Sequence, residues 1–265
     1  MAFYESCVNG VPLIKSSLIP FRHGFTTRLG GVSSGYCESL NLGENRGDDP
    51  DCVRENYRRA AEAVGFDPGR LVYTRQVHGR EVRYAAPEDS RELFTPIPYE
   101  CDGLYTDIKD LPLVCYTADC VPVLLCDPEA GTAAAVHCGW RSTVADILGE
   151  AVKKLEGLGA KPGNIRAAIG PAIGACCFEV GADVTEAMNG WLGAAAWEFI
   201  REKPDTPGKY LADLRAADRY RLLELGLSAG HIDVSDECTM CAPDKFWSHR
   251  VTRGERGSQA AFIVI

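Results

Sequence analysis

The chain has 265 residues, 46 % of them hydrophobic and 25 % charged, a formal net charge of −9 and 12 cysteines. Such a composition belongs to a globular protein of one large or two small domains, and an acidic chain without a basic run argues against nucleic-acid binding while leaving anionic small substrates open. The opening MAFYESCVNGVPLIKSS lacks the basic-then-apolar order of a secretion signal, and no run of about 18 apolar residues is present to cross a membrane, so a cytoplasmic protein with reduced, mostly buried cysteines is expected.

Both types of element alternate along the chain. Asp49 caps a helix with Pro50 in its first turn, an apolar stripe of Val53, Tyr57, Ala60 and Val64, and Gly65 as its stop. Leu71–Val77 and Glu81–Ala85 read as strands on either side of the turn His78-Gly79. Leu113–Tyr116, Val121–Cys126 and Thr132–Val136 are three more, short, apolar and rich in valine. Ser142 or Thr143 is expected to cap a helix carrying Val144, Ile147, Leu148, Ala151, Val152 and Leu155, ended near Gly157. A strand over Ile165–Ile169, a surface loop over Glu202–Lys209, a helix over Leu211–Leu225 and a terminal strand over Ala260–Ile265 complete the reading. No repeat or linker divides the chain, so residues 1–265 are expected to form a single α/β domain with layered strands and helices.

The richest stretch runs from Ala118 to Trp140. Asp127-Pro128-Glu129-Ala130-Gly131 is a turn, and a hairpin closed by Asp127 and Gly131 sets His137 opposite Val121 and Cys120 opposite Cys138. Cys120 and His137 then lie diagonally at one end of the hairpin, about 5–8 Å apart between Cα atoms, which lets a thiolate and an imidazole converge on one ion. His78, in Gln-Val-His-Gly, is the candidate third ligand, because the following glycine permits a sharp turn beside the site. Two histidines and one cysteine without a fourth protein ligand form a catalytic pattern; zinc suits this donor set, and copper also fits it. The same Cys-His pair also fits a nucleophile and its base, as in thiol hydrolases, and spacing does not separate the two readings.

Several motifs resemble the laccase-domain, or polyphenol oxidase, proteins now described as purine nucleoside phosphorylases. They are His23-Gly-Phe-Thr-Thr-Arg-Leu-Gly-Gly-Val-Ser33, Ser39-Leu-Asn-Leu-Gly43, Gly47-Asp-Asp-Pro50, Gln76-Val-His-Gly79, Ala118-Asp-Cys-Val-Pro122 and His137-Cys-Gly-Trp-Arg141. Gly170-Pro-Ala-Ile-Gly174, Cys176-Cys-Phe-Glu-Val180, Cys238-Thr-Met-Cys241 and Phe246-Trp-Ser-His-Arg250 follow in family order. The resemblance implies a four-layer α/β/β/α sandwich with mixed sheets and one zinc ion on His78, Cys120 and His137. It also implies phosphorolysis of adenosine, inosine and methylthioadenosine, with adenosine deamination as a second activity. Copper-dependent oxidation of phenols is the family's older assignment; an amide-cleaving cysteine hydrolase is the other alternative. Cys138 stands where the family usually has alanine, Val251 replaces a usual arginine, and Gly257-Ser258 replaces a usual Gly-Arg pair.

Given such a reaction on a small nucleoside with phosphate, Arg141 and Arg28 are the candidate anion clamps, because a guanidinium donates two hydrogen bonds in one plane. Asn41 is a candidate for a ribose hydroxyl or a base edge. Asp119 is expected to orient a ligand or move a proton beside Cys120. Cys176, Cys177, Cys238 and Cys241 are expected to be structural thiols, since no second pair has finger-like spacing and adjacent cysteines are poorly suited to bond each other.

Overall fold

The computed structural model describes residues 3–265. Strands β1 (Phe3–Val8), β2 (Val11–Ser16) and β3 (Arg22–Thr26) precede helix α1 (Pro50–Val64). Five strands follow: β4 (Val82–Tyr84), β5 (Gly103–Thr106), β6 (Leu113–Thr117), β7 (Val121–Asp127) and β8 (Thr132–Cys138). Helices α2 (Trp140–Val144) and α3 (Ile147–Gly157) lead to β9 (Arg166–Ile169), β10 (Glu179–Val180) and helix α4 (Ala182–Leu192). Then come β11 (Ile200–Glu202), β12 (Tyr210–Ala212), α5 (Leu214–Glu224), β13 (Ile232–Val234), α6 (His249–Thr252) and β14 (Gln259–Val264).

One antiparallel sheet has the order β1-β2-β3-β14-β6, and a mixed sheet has the order β13-β9-β7-β8-β5-β4. A small third sheet, β10-β12-β11, sits apart from them in the strand order. Strand side chains alternate between faces, and this alternation builds the layers. Leu113 and Cys115 of β6, Leu124 and Cys126 of β7, Ala133 and Ala135 of β8, and Ala261 and Ile263 of β14 fill the space between the two large sheets. Val114 and Phe262, on the other face of the antiparallel sheet, pack with Val53, Tyr57 and Ala60 of α1. Val123, Leu125 and Val136, on the far face of the mixed sheet, pack with Leu148 and Val152 of α3 and Leu222 of α5. Four layers result, α/β/β/α, as expected. Strands buried on both faces also explain why they read as unbroken apolar runs.

Helix α1 forms as its sequence dictates: the Asp49 carboxylate accepts from Asp51 N, and Gly65 ends the helix at φ 94°. Three local expectations are corrected. Leu71–Val77 is not a strand; its ladder contact is a single bridge from Val72 to Leu113. The side-chain amide of Gln76 takes the place of a strand neighbour, donating to Tyr116 O (2.8 Å) and accepting from Tyr116 N (2.7 Å). The helix expected from Ser142 or Thr143 begins instead after Gly139 and is broken at Asp146, whose φ of 63° interrupts the hydrogen-bond ladder before α3. The expected helix over Leu211–Leu225 starts later, because Tyr210–Ala212 is claimed by β12 and Asp213 caps α5 through Ala216 N.

Asp218 of α5 is fully buried; its Oδ1 accepts from Thr143 Oγ1 (3.3 Å) and its Oδ2 has no partner. Burial pushes its carboxyl well above the ordinary range, so the folded chain holds a proton that the unfolded chain releases above about pH 4. A raised carboxyl costs stability as pH climbs from that point. Asp218→Asn is therefore expected to stabilise the fold by about 1–3 kcal/mol at pH 8 and by nearly nothing at pH 4. Thermal melts across pH check this; a gain that does not change with pH contradicts it.

Candidate active site

The β7–β8 hairpin has a different register from the one the turn suggested. Asp127 pairs with Thr132, so Gly131, at φ 66°, belongs to the turn rather than the ladder. The Asp127 carboxylate closes that turn by accepting from Glu129 N (2.9 Å) and Ala130 N (3.1 Å). His137 consequently faces Pro122, and Val121 faces Cys138. The shift of one residue decides the site, because it exchanges the faces of a strand. Cys120, two positions before Pro122, now shares the inter-sheet face with His137. Cys138 points the opposite way, into the core beneath α3, and so fills space away from the site.

His78, Cys120 and His137 converge, with their ligand atoms all within 4.8 Å of one another. Cys120 Sγ lies 3.8 Å from His78 Nε2, and the two imidazoles meet edge to face at 4.9 Å between centroids. A tetrahedral zinc with bonds of about 2.3 Å to sulfur and about 2.0 Å to nitrogen requires a sulfur–nitrogen separation of about 3.5 Å, so the donor set fits this ion. Gly139 is required here, since a Cβ at that position would stand 2.5 Å from His78 Cδ2.

A residue that the sequence reading did not single out organises the group. Asp102, fully buried just before β5, accepts from His137 Nδ1 (2.8 Å) and His78 N (2.9 Å) through Oδ1, and from Val77 N (3.0 Å) and Gly79 N (2.8 Å) through Oδ2. Its carboxylate thus holds the turn in which His78 adopts φ 59°, and it fixes His137 with Nε2 free for an ion. Burial alone would raise the Asp102 carboxyl, but the bond to His137 and the turn N–H groups keep it below its ordinary range. Burial likewise opposes ionisation of Cys120 and His137. The two imidazoles nevertheless bring the thiol down to about 6, and the thiolate and Asp102 raise His137 to about 9. Without metal the pair is a thiolate and an imidazolium at neutral pH.

The group forms one wall of a cavity of about 640 Å³ at the end of the inter-sheet layer, also lined by Glu44, Arg46, Gln76, Phe94, Ile97, Tyr116, Arg256 and Ser258. Arg256 is nearly buried; its Nη1 donates to Gly257 O (2.8 Å) and Ser258 Oγ (3.1 Å), while its Nε has no partner. Burial, and repulsion from Arg46, bring its guanidinium down to about 10. The arginines of this cleft are therefore not the ones chosen from sequence.

Arg28, Asn41 and Arg141 are not brought to the cleft. Arg28 donates to Glu38 O and Pro243 O and stacks 4.0 Å over Trp247, which locks its glycine-rich loop to the C-terminal segment. Asn41 is fully buried, accepting from Gly43 N (2.8 Å) and Ser258 N (2.9 Å). Arg141 lies 4.2 Å over the Trp140 ring on the five-residue helix α2 and is exposed. Asp119, at φ 90°, turns away from Cys120; its carboxylate accepts from Thr239 Oγ1 and Arg250 N, both at 2.7 Å. It anchors the C-terminal segment rather than facing a ligand.

Residues 22–265 match the family model described as "Multi-copper polyphenol oxidoreductase laccase". A purine nucleoside phosphorylase YlmD of Geobacillus stearothermophilus is 39 % identical over 247 residues, covering 91 % of this chain and 88 % of that one. A purine nucleoside phosphorylase of Deinococcus radiodurans is 39 % identical over 254 residues, covering 96 % and 93 %. The crystal structure of YlmD from Geobacillus stearothermophilus superposes with a TM-score of 0.92 at 36 % identity, over 99 % of this chain and 98 % of that one. The chain belongs to the polyphenol oxidoreductase laccase family, whose curated relatives bear the name purine nucleoside phosphorylase.

Proposed function

We propose that the cleft is the active site of a zinc-dependent purine nucleoside phosphorylase that cleaves adenosine, inosine and methylthioadenosine, deaminates adenosine as a second activity, and works in the cytoplasm as a single domain. The observation that carries this reading is one cavity holding a metal-capable His-Cys-His group together with Arg46 and Arg256. The names of the relatives support it, and the volume suits a nucleoside beside a phosphate.

His78, Cys120 and His137 would hold the zinc, which supplies a Lewis acid at a position left open by only three protein ligands. Arg46 and Arg256 are placed to bind the phosphate; a guanidinium taken out of water binds an oxyanion more strongly than an exposed one. Phe94, Ile97 and Tyr116 offer the apolar surface for the purine. Glu44 accepts from Phe94 N (2.9 Å), with a carboxyl raised by burial, and is placed to meet a ribose hydroxyl or base edge. In phosphorolysis a phosphate oxygen bonds to C1′ while the C1′–N9 bond breaks, and the electron pair leaves with the base, which takes up a proton. In deamination water adds at C6 and ammonia leaves.

Two other readings meet specific obstacles. Copper oxidation at a multinuclear centre needs many histidines; this chain has five, and only His78 and His137 are at the site. Cys120, His137 and Asp102 also match the order of thiol nucleophile, base and orienting carboxylate. That reading gives no role to His78, which Asp102 holds against the same sulfur.

Incubation with adenosine, with and without phosphate, followed by chromatography tests the proposal: phosphate-dependent adenine supports phosphorolysis, inosine supports deamination, and neither product removes the proposal. Arg256→Met is expected to raise KM for phosphate about 10- to 100-fold, the value of one or two charged hydrogen bonds. Zinc content and adenosine deamination should be unchanged. A phosphate titration of initial rates checks it, and an unaltered KM contradicts the placement of phosphate on Arg256.

A further inference from the structure

We propose that Cys176, Cys177, Cys238 and Cys241 bind a second zinc ion as a tetrathiolate site, which fastens the C-terminal segment to the mixed sheet. The inference is independent of the nucleoside reading. The four sulfurs all lie within 4.8 Å of one another, with Cys241 Sγ 3.6 Å from Cys176 Sγ and 3.4 Å from Cys177 Sγ. A tetrahedral ion with zinc–sulfur bonds of about 2.3 Å spaces its sulfurs about 3.8 Å apart. Disulfides require about 2.05 Å. An iron–sulfur cluster gives each thiolate its own iron and so spreads the sulfurs wider than a single ion does.

Two tight turns deliver the thiols in pairs. Cys177 N and Phe178 N both donate to Gly174 O at 2.9 Å, curling the first pair outward. Cys241 N and Ala242 N donate to Cys238 O at 3.2 and 3.1 Å, the compact turn that a Cys-x-x-C pair uses to present two sulfurs to one ion. A bridge from Ala172 to Cys238 and the bond from Thr239 N to Ala172 O (3.1 Å) bring the turns together. Gly174 N donates to Cys238 Sγ at 3.2 Å, a bond that stabilises a sulfur carrying negative charge. A Cβ at Gly174 would stand 3.2 Å from Cys176 Sγ and 2.9 Å from Arg215 Nη2, so glycine keeps the approach open. Cationic groups flank the four thiolates: Arg215 here, and Arg201, which donates to Ala175 O (3.2 Å).

The expectation of structural filler thiols does not account for this placement. Cys176 and Cys241 are exposed and Cys177 is only partly covered, so three of the four do not fill a core. Adjacency in sequence, which argues against a bond between Cys176 and Cys177, is no obstacle to both facing one ion. Zinc replaces the thiol protons, which leave to solvent, and no oxidant takes part. The fastened segment carries Thr239 and Arg250, which grip Asp119 beside Cys120, and Arg256 of the cleft wall. The second ion therefore positions one side of the cleft without touching substrate.

Zinc analysis of the intact protein by plasma mass spectrometry is expected to give two ions per chain. Cys176→Ser/Cys177→Ser, at the exposed turn, is expected to retain one, and so is His78→Ala/His137→Ala, each losing a different ion. In a cobalt-substituted protein, intense sulfur-to-cobalt charge transfer should survive the histidine substitutions and vanish in the cysteine pair, which does not depend on how well either variant turns over substrate. The proposal is overturned by one zinc per chain that persists in the cysteine variant, by iron in the second position, or by a disulfide among these four residues in protein alkylated without reductant.

Discussion

Cys120→Ser is expected to remove the zinc bound in the cleft and to lower kcat/KM for adenosine phosphorolysis by about a thousandfold or more. Cys120 supplies the only anionic donor of its group, with a thiol already brought down to about 6 by the neighbouring imidazoles. A serine hydroxyl stays protonated there and offers a hard, neutral oxygen, so His78 and His137 are left as two neutral nitrogens that do not retain the ion. The side chain keeps its size at the start of β7, so the far-ultraviolet spectrum should not change. Zinc should fall by one ion per chain, and phosphorolysis and deamination should fall together. If Cys120 were a nucleophile instead, activity would be lost with the zinc content intact. Metal analysis beside steady-state kinetics separates the two outcomes.

Asp102→Asn is expected to weaken zinc binding about 10- to 100-fold, and to cost about 1–3 kcal/mol of folding stability. The carboxylate accepts four hydrogen bonds, two on each oxygen. An amide has one acceptor and one donor end, so either orientation sets an NH₂ group against two of those donors. With its oxygen toward Val77 and Gly79, His137 must turn its free electron pair to the amide, placing its proton on Nε2 where the ion belongs. With the opposite orientation, the turn that carries His78 loses its tether. Because the Asp102 carboxyl is held below its ordinary range, its contribution is complete above about pH 4 and is lost as pH falls through the lowered value. The wild-type advantage in stability should therefore shrink in acid. Competition with a chelator measures the affinity, and denaturant unfolding at several pH values measures the stability. A variant with unchanged zinc affinity would contradict the role of Asp102.

Much of this architecture was legible because it rests on local chemistry. The cap at Asp49, the stop at Gly65 and the apolar runs of β6, β7 and β8 are each set by neighbours in sequence. Convergence of His78, Cys120 and His137 was also anticipated, but through a register one residue off. That register would have put Cys120 and His137 on opposite faces. What corrected it was the left-handed Gly131, a conformational detail of the turn that composition does not reveal.

The missed features depend on distant partners. Asp102 sits in Glu100-Cys-Asp-Gly103 with no local pattern, and its role exists only because β5 lies beside β8. Leu71–Val77 has a strand's composition, but Gln76 satisfies Tyr116 with a side chain and leaves no ladder to extend. Arg256 stands one residue before the Gly257-Ser258 pair in which an arginine was sought. A residue count around that motif was the signal that could have found it. Arg28 and Asn41 lie in recognisable motifs, yet those motifs build the loop scaffold. The four cysteines at positions 176, 177, 238 and 241 lacked finger-like spacing because their meeting is made by β9 and the segment after β13, far apart in the chain.

Anomalous diffraction at the zinc edge, from crystals grown without added metal, tests the central claim most directly. A peak about 2.3 Å from Cys120 Sγ and about 2.0 Å from one nitrogen each of His78 and His137, with no fourth protein atom in the shell, is the predicted result. Absence of a peak between these three side chains, or an imidazole of His78 turned away from the sulfur, would contradict it.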